Sequence, residues 1–127
     1  MATLVFCEDD PTIRRLIGAA LRASPHEIHI AADGVEGLAL IERLRPAAVF
    51  TDVAMPGLDG FALLDASRGR PELATIPVIL LTASLQRAQS EEGYRRGATV
   101  ILSKPFSTAE LRAHVECYAG GTGNSGG

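Results

Sequence analysis

Residues 48–60, AVFTDVAMPGLDG, begin as a buried strand and stop on a carboxylate. Ala48, Val49 and Phe50 continue an apolar run from Ala47, Thr51 is β-branched, and Asp52 follows. Met55-Pro56-Gly57 then ends any strand, because proline removes a ladder donor and glycine favours a turn. A charge is costly to desolvate. Asp52 is therefore either the first solvated residue of a turn or an anionic oxygen that the molecule uses.

Outward from this stretch, apolar β-rich runs at residues 4–7, 28–31, 47–51, 77–82 and 99–102 alternate with segments of helical spacing. Ile13, Leu16, Ile17, Ala20 and Leu21 follow the i, i+3, i+4, i+7, i+8 pattern of an amphipathic helix. Val35, Leu38, Ile41 and Leu44 form a second stripe, Phe61, Leu63 and Leu64 a third, and Leu111, Val115 and Tyr118 a last one. Residues 85–96 are the least apolar of the helical segments, with Leu85, Ala88 and Tyr94 as packing residues and Gly93 weakening the helix. Such a helix opens easily and is a natural moving element.

Helix starts agree with this division. Asp10-Pro11 reads as N-cap and first helical residue, and Asp33 with Glu36 and Ser107 with Glu110 read as capping boxes. Asp59 before Gly60 caps the third helix. The alternation predicts an α/β fold: a single doubly wound five-stranded parallel sheet with five helices covering both faces. Residues 1–119 make the domain, and 120–127, with five glycines, read as a flexible tail or linker.

Composition sets the class. The 127 residues are 46% hydrophobic and 21% charged, the balance of a globular domain with a sizeable core. A formal charge of −3 offers no basic footprint for nucleic acid or anionic lipid. No apolar stretch is long enough for a membrane span, and the N-terminus lacks the basic start of a signal peptide. Cys7 and Cys117 suit a reducing cytoplasm and no disulfide framework. His26, His29 and His114 show no ligand spacing and read as surface residues.

In a doubly wound sheet, ligands bind beyond the carboxyl ends of the strands. The strand ends here carry Glu8-Asp9-Asp10, Asp52, Thr82-Ala83-Ser84 and Ser103-Lys104-Pro105. Carboxylates gathered on one edge repel each other unless a cation sits among them. An all-oxygen donor set favours a hard ion, Mg²⁺ above all, with Mn²⁺ as the alternative.

With those motifs in place, the chain resembles the receiver domain of two-component response regulators, from about residue 4 to residue 118. The resemblance rests on the acidic pair Glu8-Asp9, Asp52 followed by the pattern Met55-Pro56 to Asp59-Gly60, Thr82-Ala83, and Lys104-Pro105-Phe106, with Gly97-Ala98 adding to it. It implies a flavodoxin-like fold of the chemotaxis-regulator kind. It also implies that Asp52 is the phosphoacceptor, served by a histidine kinase or histidine phosphotransfer protein, with a downstream output domain or protein as the other partner. Glu8, Asp9, Asp52 and the backbone carbonyl of Ala54 would hold the Mg²⁺ or Mn²⁺ ion. Lys104 would neutralise phosphoryl oxygens, Thr82 and the backbone of Ala83 would contact the phosphoryl group, and Thr82 with Ile101 would form the switch. On this reading the protein is a cytoplasmic signalling phosphoacceptor that catalyses only its own phosphorylation and dephosphorylation, without direct contact to nucleic acid or membrane. The segment 85–96, with the face it shares with 107–118, would meet the output partner.

Each residue taken singly has a plainer reading: Asp52 a turn residue, Thr82 a β-former, Lys104 a solvated charge, Cys7 a small core residue. Asp10 keeps its plain reading as a helix cap. A haloacid-dehalogenase-type phosphatase also uses a strand-end Asp, but it wants a second acid where Ala54 stands. A receiver-like interaction module that no longer switches by phosphorylation would be expected to lack an acid or the lysine. Two departures from the family pattern concern the switch: Ile101 stands where an aromatic ring is common, and Ala54 where a polar side chain often tunes phosphate lifetime.

Overall fold

In the first strand Leu4 and Phe6 face one side and Val5 and Cys7 the other, and all four are buried. That period of two, with no polar face, marks a strand covered on both sides. In a computed structural model, which describes residues 2–83, 87–104 and 106–119, it becomes β1 (Thr3–Cys7). The remaining elements follow in order: α1 (Pro11–Ala20), β2 (Glu27–Ala31), α2 (Gly34–Leu44), β3 (Ala48–Asp52), α3 (Gly60–Arg68), β4 (Val78–Thr82), α4 (Arg87–Arg95), β5 (Val100–Ser103) and α5 (Thr108–Ala119). The five strands are parallel and lie in the order β2-β1-β3-β4-β5.

The sheet divides the interior in two. On one face Leu4, Phe6, Phe50 and Leu81 pack against Ile17 of α1 and Leu111 and Val115 of α5. Phe6 and Phe50, neighbours in the parallel register, stack with ring centroids 4.7 Å apart. On the other face Val5, Cys7, Val49 and Leu80 meet Ile41 of α2 and Leu63 and Leu64 of α3. The central strands β3 and β4 are buried throughout, whereas the edge strands β2 and β5 are partly exposed.

The helix caps follow the local chemistry. Asp10 accepts from the Thr12 amide at 2.8 Å, Asp33 from the Glu36 amide at 2.8 Å, and Asp59 from the Ala62 amide at 2.8 Å. The Ser107 hydroxyl accepts from the Glu110 amide at 3.0 Å, and Glu110 returns the bond to the Ser107 amide at 2.8 Å, a complete capping box. Glu36 instead reaches back to the Ala32 amide at 2.9 Å, one residue before its cap.

The third strand ends on Asp52, as its sequence reads: Asp52 pairs with Leu81 in the ladder, and the next amide, Val53, donates to the Leu81 carbonyl at 3.0 Å. Two expectations change. Tyr94 is not a packing residue of α4, since half of it is exposed; Gly93 is buried and lies close to Ile101 and Leu80 of the sheet. His26 is not on the surface. Its side chain is 8% exposed, and Nδ1 accepts from the Ala2 amide at 3.0 Å.

Arg68, at the end of α3, acts as a clamp on the opposite edge of the sheet from the strand-end acids. Its guanidinium donates to the carbonyls of Gly97 (3.0 and 2.8 Å), Ala74 (3.1 Å) and Ile76 (2.8 Å). Cys7 and Cys117 are both free thiols. Among the described residues no helix is long and apolar enough to cross a membrane. Ser84, Leu85, Pro105, the Ala88 side chain and the segment 120–127 lie outside the described residues.

Candidate functional site

Because β1 has β2 on one side and β3 on the other, successive crossovers leave in opposite directions and open a crevice at the carboxyl ends of β1 and β3. Glu8 follows β1 directly and is completely buried, its amide held by the Ala31 carbonyl at 3.0 Å. Asp52 ends β3 and is 6% exposed. Behind it, the Gly60 amide donates to the Val53 carbonyl at 2.9 Å, and a Cβ at position 60 would strike the Asp52 carbonyl oxygen. Glycine at 60 lets α3 start hard against the strand end, so the Asp52 backbone is packed directly against the first residue of that helix.

Lys104 comes from β5, two strands away, and its amide donates to the Thr82 carbonyl at 2.7 Å. Its ammonium donates to Glu8 Oε1 and to Asp52 Oδ2, both at 2.9 Å. Glu8 Oε2 accepts from the Asp10 amide at 3.1 Å, and the Glu8 carbonyl accepts from Arg14 Nη1 at 2.9 Å. Among the described residues, Asp52 Oδ1 accepts a long 3.4 Å bond from the Ala54 amide.

Electrostatics follow from this crowding. Burial pushes the Glu8 carboxyl above its ordinary value; the bond from Lys104 opposes the rise and the neighbouring Asp52 charge adds to it. Burial alone would pull Lys104 down, but its bonds to Glu8 and Asp52 outweigh that and hold the ammonium above its usual range. Lys104 is therefore a firmly charged group at neutral pH.

The ligating oxygens of Glu8, Asp9 and Asp52 all lie within 4.8 Å of one another. Three carboxylates against one ammonium leave an excess of two negative charges, which one divalent cation balances. The donors are hard oxygens, and Asp9 is exposed, so the solvent side is open for the water ligands that such an ion retains. The residues fit a divalent metal.

The structure thus brings Glu8, Asp9, Asp52 and Lys104 together. Ala54 stands exposed on the loop after β3, beside the Asp52 carboxylate. Thr82, 5% exposed, ends β4 one strand over, and its hydroxyl donates to Gln89 Oε1 at 3.3 Å. Ala83 is exposed just beyond it. Ile101 is half-buried, pairs with Leu80 in the register, and its amide donates to the Tyr94 hydroxyl at 3.2 Å. Asp10 serves as the helix cap and also as a backbone donor to Glu8. Sequence reading missed Arg14 and Gln89. Arg14 lies one turn beyond the Asp10 cap and Gln89 on a helix without an apolar stripe, so neither carries a spacing signal.

The family model described as the response regulator receiver domain matches residues 4–116. The chain is 34% identical over 115 residues to the DNA-binding dual master transcriptional regulator RpaA of Synechocystis sp., covering 91% of this chain and 48% of that protein. Among solved structures, the Vibrio cholerae chemotaxis protein CheY4 superposes with a TM-score of 0.86 at 30% identity, over 93% of this chain and 98% of that one. The receiver domain of sensor histidine kinase PA1611 of Pseudomonas aeruginosa, which has a magnesium ion coordinated in its active-site cleft, gives a TM-score of 0.84 at 29% identity, over 94% and 98% of the two chains. The chain spans about half the length, or less, of the first curated relatives it matches. Receiver domains bind a divalent metal in an acidic pocket of this kind. With five parallel strands, five helices and an acidic cluster that fits a phosphoacceptor site, the chain belongs to the response regulator receiver domain family.

Proposed function

We propose that Asp52 accepts a phosphoryl group from the phosphohistidine of a histidine kinase or histidine phosphotransfer protein. The observation that carries this reading is the Lys104 ammonium seated between Glu8 and Asp52, with Asp9 completing the acid cluster. An Asp52 carboxylate oxygen attacks phosphorus; the phosphorus–nitrogen bond breaks, the imidazole nitrogen keeps the electron pair and takes a proton from solvent, and an acyl phosphate is left on Asp52. Phosphoryl transfer asks mainly for positioning and charge neutralisation. A Mg²⁺ or Mn²⁺ ion, held by Glu8, Asp9, Asp52 and the Ala54 carbonyl, supplies part of that neutralisation when bound. Lys104 supplies the rest, exchanging its Asp52 bond for a phosphoryl oxygen, and the Thr82 hydroxyl and the Ala83 amide are further donors.

Because the chain itself carries these groups, it also takes phosphoryl groups from small acyl phosphates and hydrolyses its own product. The phosphorylated state then acts on an output domain or protein through α4, β5 and α5. The test is intact mass after incubation with acetyl phosphate and Mg²⁺. Wild type gains one phosphoryl group only when the cation is present, and Asp52→Asn gains none; equal yield on the Asn variant would overturn the assignment.

A further inference from the structure

We propose that Gln89 is a positioning residue for the Thr82 hydroxyl, a latch between β4 and α4 that the phosphoryl group must break. The proposal rests on the phosphoacceptor reading of Asp52 and names the regulation of that same site. The Thr82 hydroxyl donates to Gln89 Oε1 at 3.3 Å. A threonine hydroxyl has a single donor proton, so the bond to Gln89 and a bond to a phosphoryl oxygen exclude each other. Gln89 and Thr82 line a narrow crevice with Phe61, Leu80 and Ile101. When Thr82 turns to the phosphoryl group, the half-buried Gln89 amide loses that partner. An unpaired polar group there is unfavourable, so the first turn of α4 shifts outward until Gln89 is solvated.

The rest of α4 makes that shift easy. Among its described residues no apolar side chain is buried; Tyr94 is half exposed and Gly93 is a buried point of contact. A Cβ at 93 would lie 2.8 Å from Ile101 Cδ1 and 3.0 Å from Leu80 Cδ1, so the helix touches the sheet there backbone-first. Its second turn is held by the Tyr94 hydroxyl on the Ile101 amide, at 3.2 Å. The helix therefore pivots at Gly93, with Gln89 as the releasable end. Ile101, which has no ring to swing, stays in place while α4 moves over it.

The experiment uses Gln89→Met, which keeps length and helix propensity but removes the acceptor, Thr82→Val, which removes the hydroxyl at constant shape, and the double variant, with Gln89→Leu as a repeat. Amide hydrogen exchange of α4 is measured on the unliganded chain, and beryllofluoride affinity in Mg²⁺ by NMR titration. Gln89→Met speeds α4 exchange and tightens beryllofluoride binding, each by about two- to tenfold, the weight of one neutral hydrogen bond. Thr82→Val speeds exchange equally and weakens beryllofluoride, and in its background Gln89→Met adds nothing to either readout. Independent, additive effects, or no effect of Gln89→Met on exchange, would overturn the latch. A wild type that took up no beryllofluoride would instead overturn the phosphoacceptor reading and the competition built on it, while the exchange data judge the Thr82–Gln89 tether separately.

Discussion

The Lys104 ammonium stands 2.9 Å from Asp52 Oδ2, a contact made across 52 positions of chain and the width of β4 between their two strands. The same nitrogen holds the fully buried Glu8 at 2.9 Å. One cation thus ties two buried carboxylates that would otherwise repel each other.

Removing that cation should therefore unsettle the fold as well as the site. Taking one partner from a buried ion pair leaves an uncompensated charge, worth about 3 kcal/mol. Lys104→Met is expected to lose about that much in urea unfolding with chelator present, and to recover part of it in Mg²⁺. An unchanged midpoint in chelator would show that Glu8 and Asp52 do not depend on the lysine.

Asp9 separates metal binding from stability. It is exposed, so Asp9→Asn should shift cation-free stability by less than about 0.5 kcal/mol. In wild type, Mg²⁺ at ten times its dissociation constant adds about 1.4 kcal/mol, since it binds only the folded chain. Thermal melts across a Mg²⁺ series should show that rise in wild type and little of it in the variant. A full rise in Asp9→Asn would remove Asp9 from the cation site.

Two glycines should respond in opposite directions to alanine. At Gly60 the new Cβ collides with the Asp52 carbonyl and lies 2.8 Å from Val53 Cα, so Gly60→Ala is expected to destabilise by about 1–3 kcal/mol and to lower the phosphorylation yield. At Gly18 in α1 the nearest atom is Ile30 Cδ1 at 4.0 Å, and Gly18→Ala should stabilise by about 0.5–1 kcal/mol through helix propensity. Urea unfolding of both variants checks the pair, and equal effects would contradict it.

The two thiols should differ sharply. Burial pushes Cys7 from its ordinary 9.0 up to about 12, whereas Cys117 is exposed. Reaction follows the thiolate and access to it, so an aromatic disulfide reagent at pH 8 should titrate Cys117 in the native chain and Cys7 only after unfolding. A raised folded value means the native state keeps its proton longer. This contribution to stability is whole below pH 9 and is lost as pH climbs from there to about 12. Lys104, also raised, acts in the same direction. Urea stability should accordingly fall above pH 9, with a shallower fall in Cys7→Ala.

How much of this was legible depends on the distance over which each interaction acts. Asp10, Asp33, Asp59 and Ser107 bond to amides two or three residues away, so the caps could be read from the chain directly. The buried strands were equally plain, because a strand covered on both faces must be apolar at every position. Their ends led to Glu8, Asp9, Asp52 and Lys104 without any coordinates. The rotation of α4 was not legible, since a helix with no apolar stripe carries no record of which side it buries. Tyr94 was read as inward, and that reading reversed; that Gly93 lies against Ile101 and Leu80 had no signal in the chain.

Sequence by itself determined the elements, their parallel order of coverage and the set of charges at the strand ends, because burial and capping leave local, periodic marks. Tertiary structure alone decided that Lys104 bridges Asp52 and Glu8, that Arg68 gathers three carbonyl groups, and that the Thr82 hydroxyl rests on Gln89. Those are single polar contacts between elements. Their partners are chosen by how helices settle on the sheet, and no period in the chain encodes that choice.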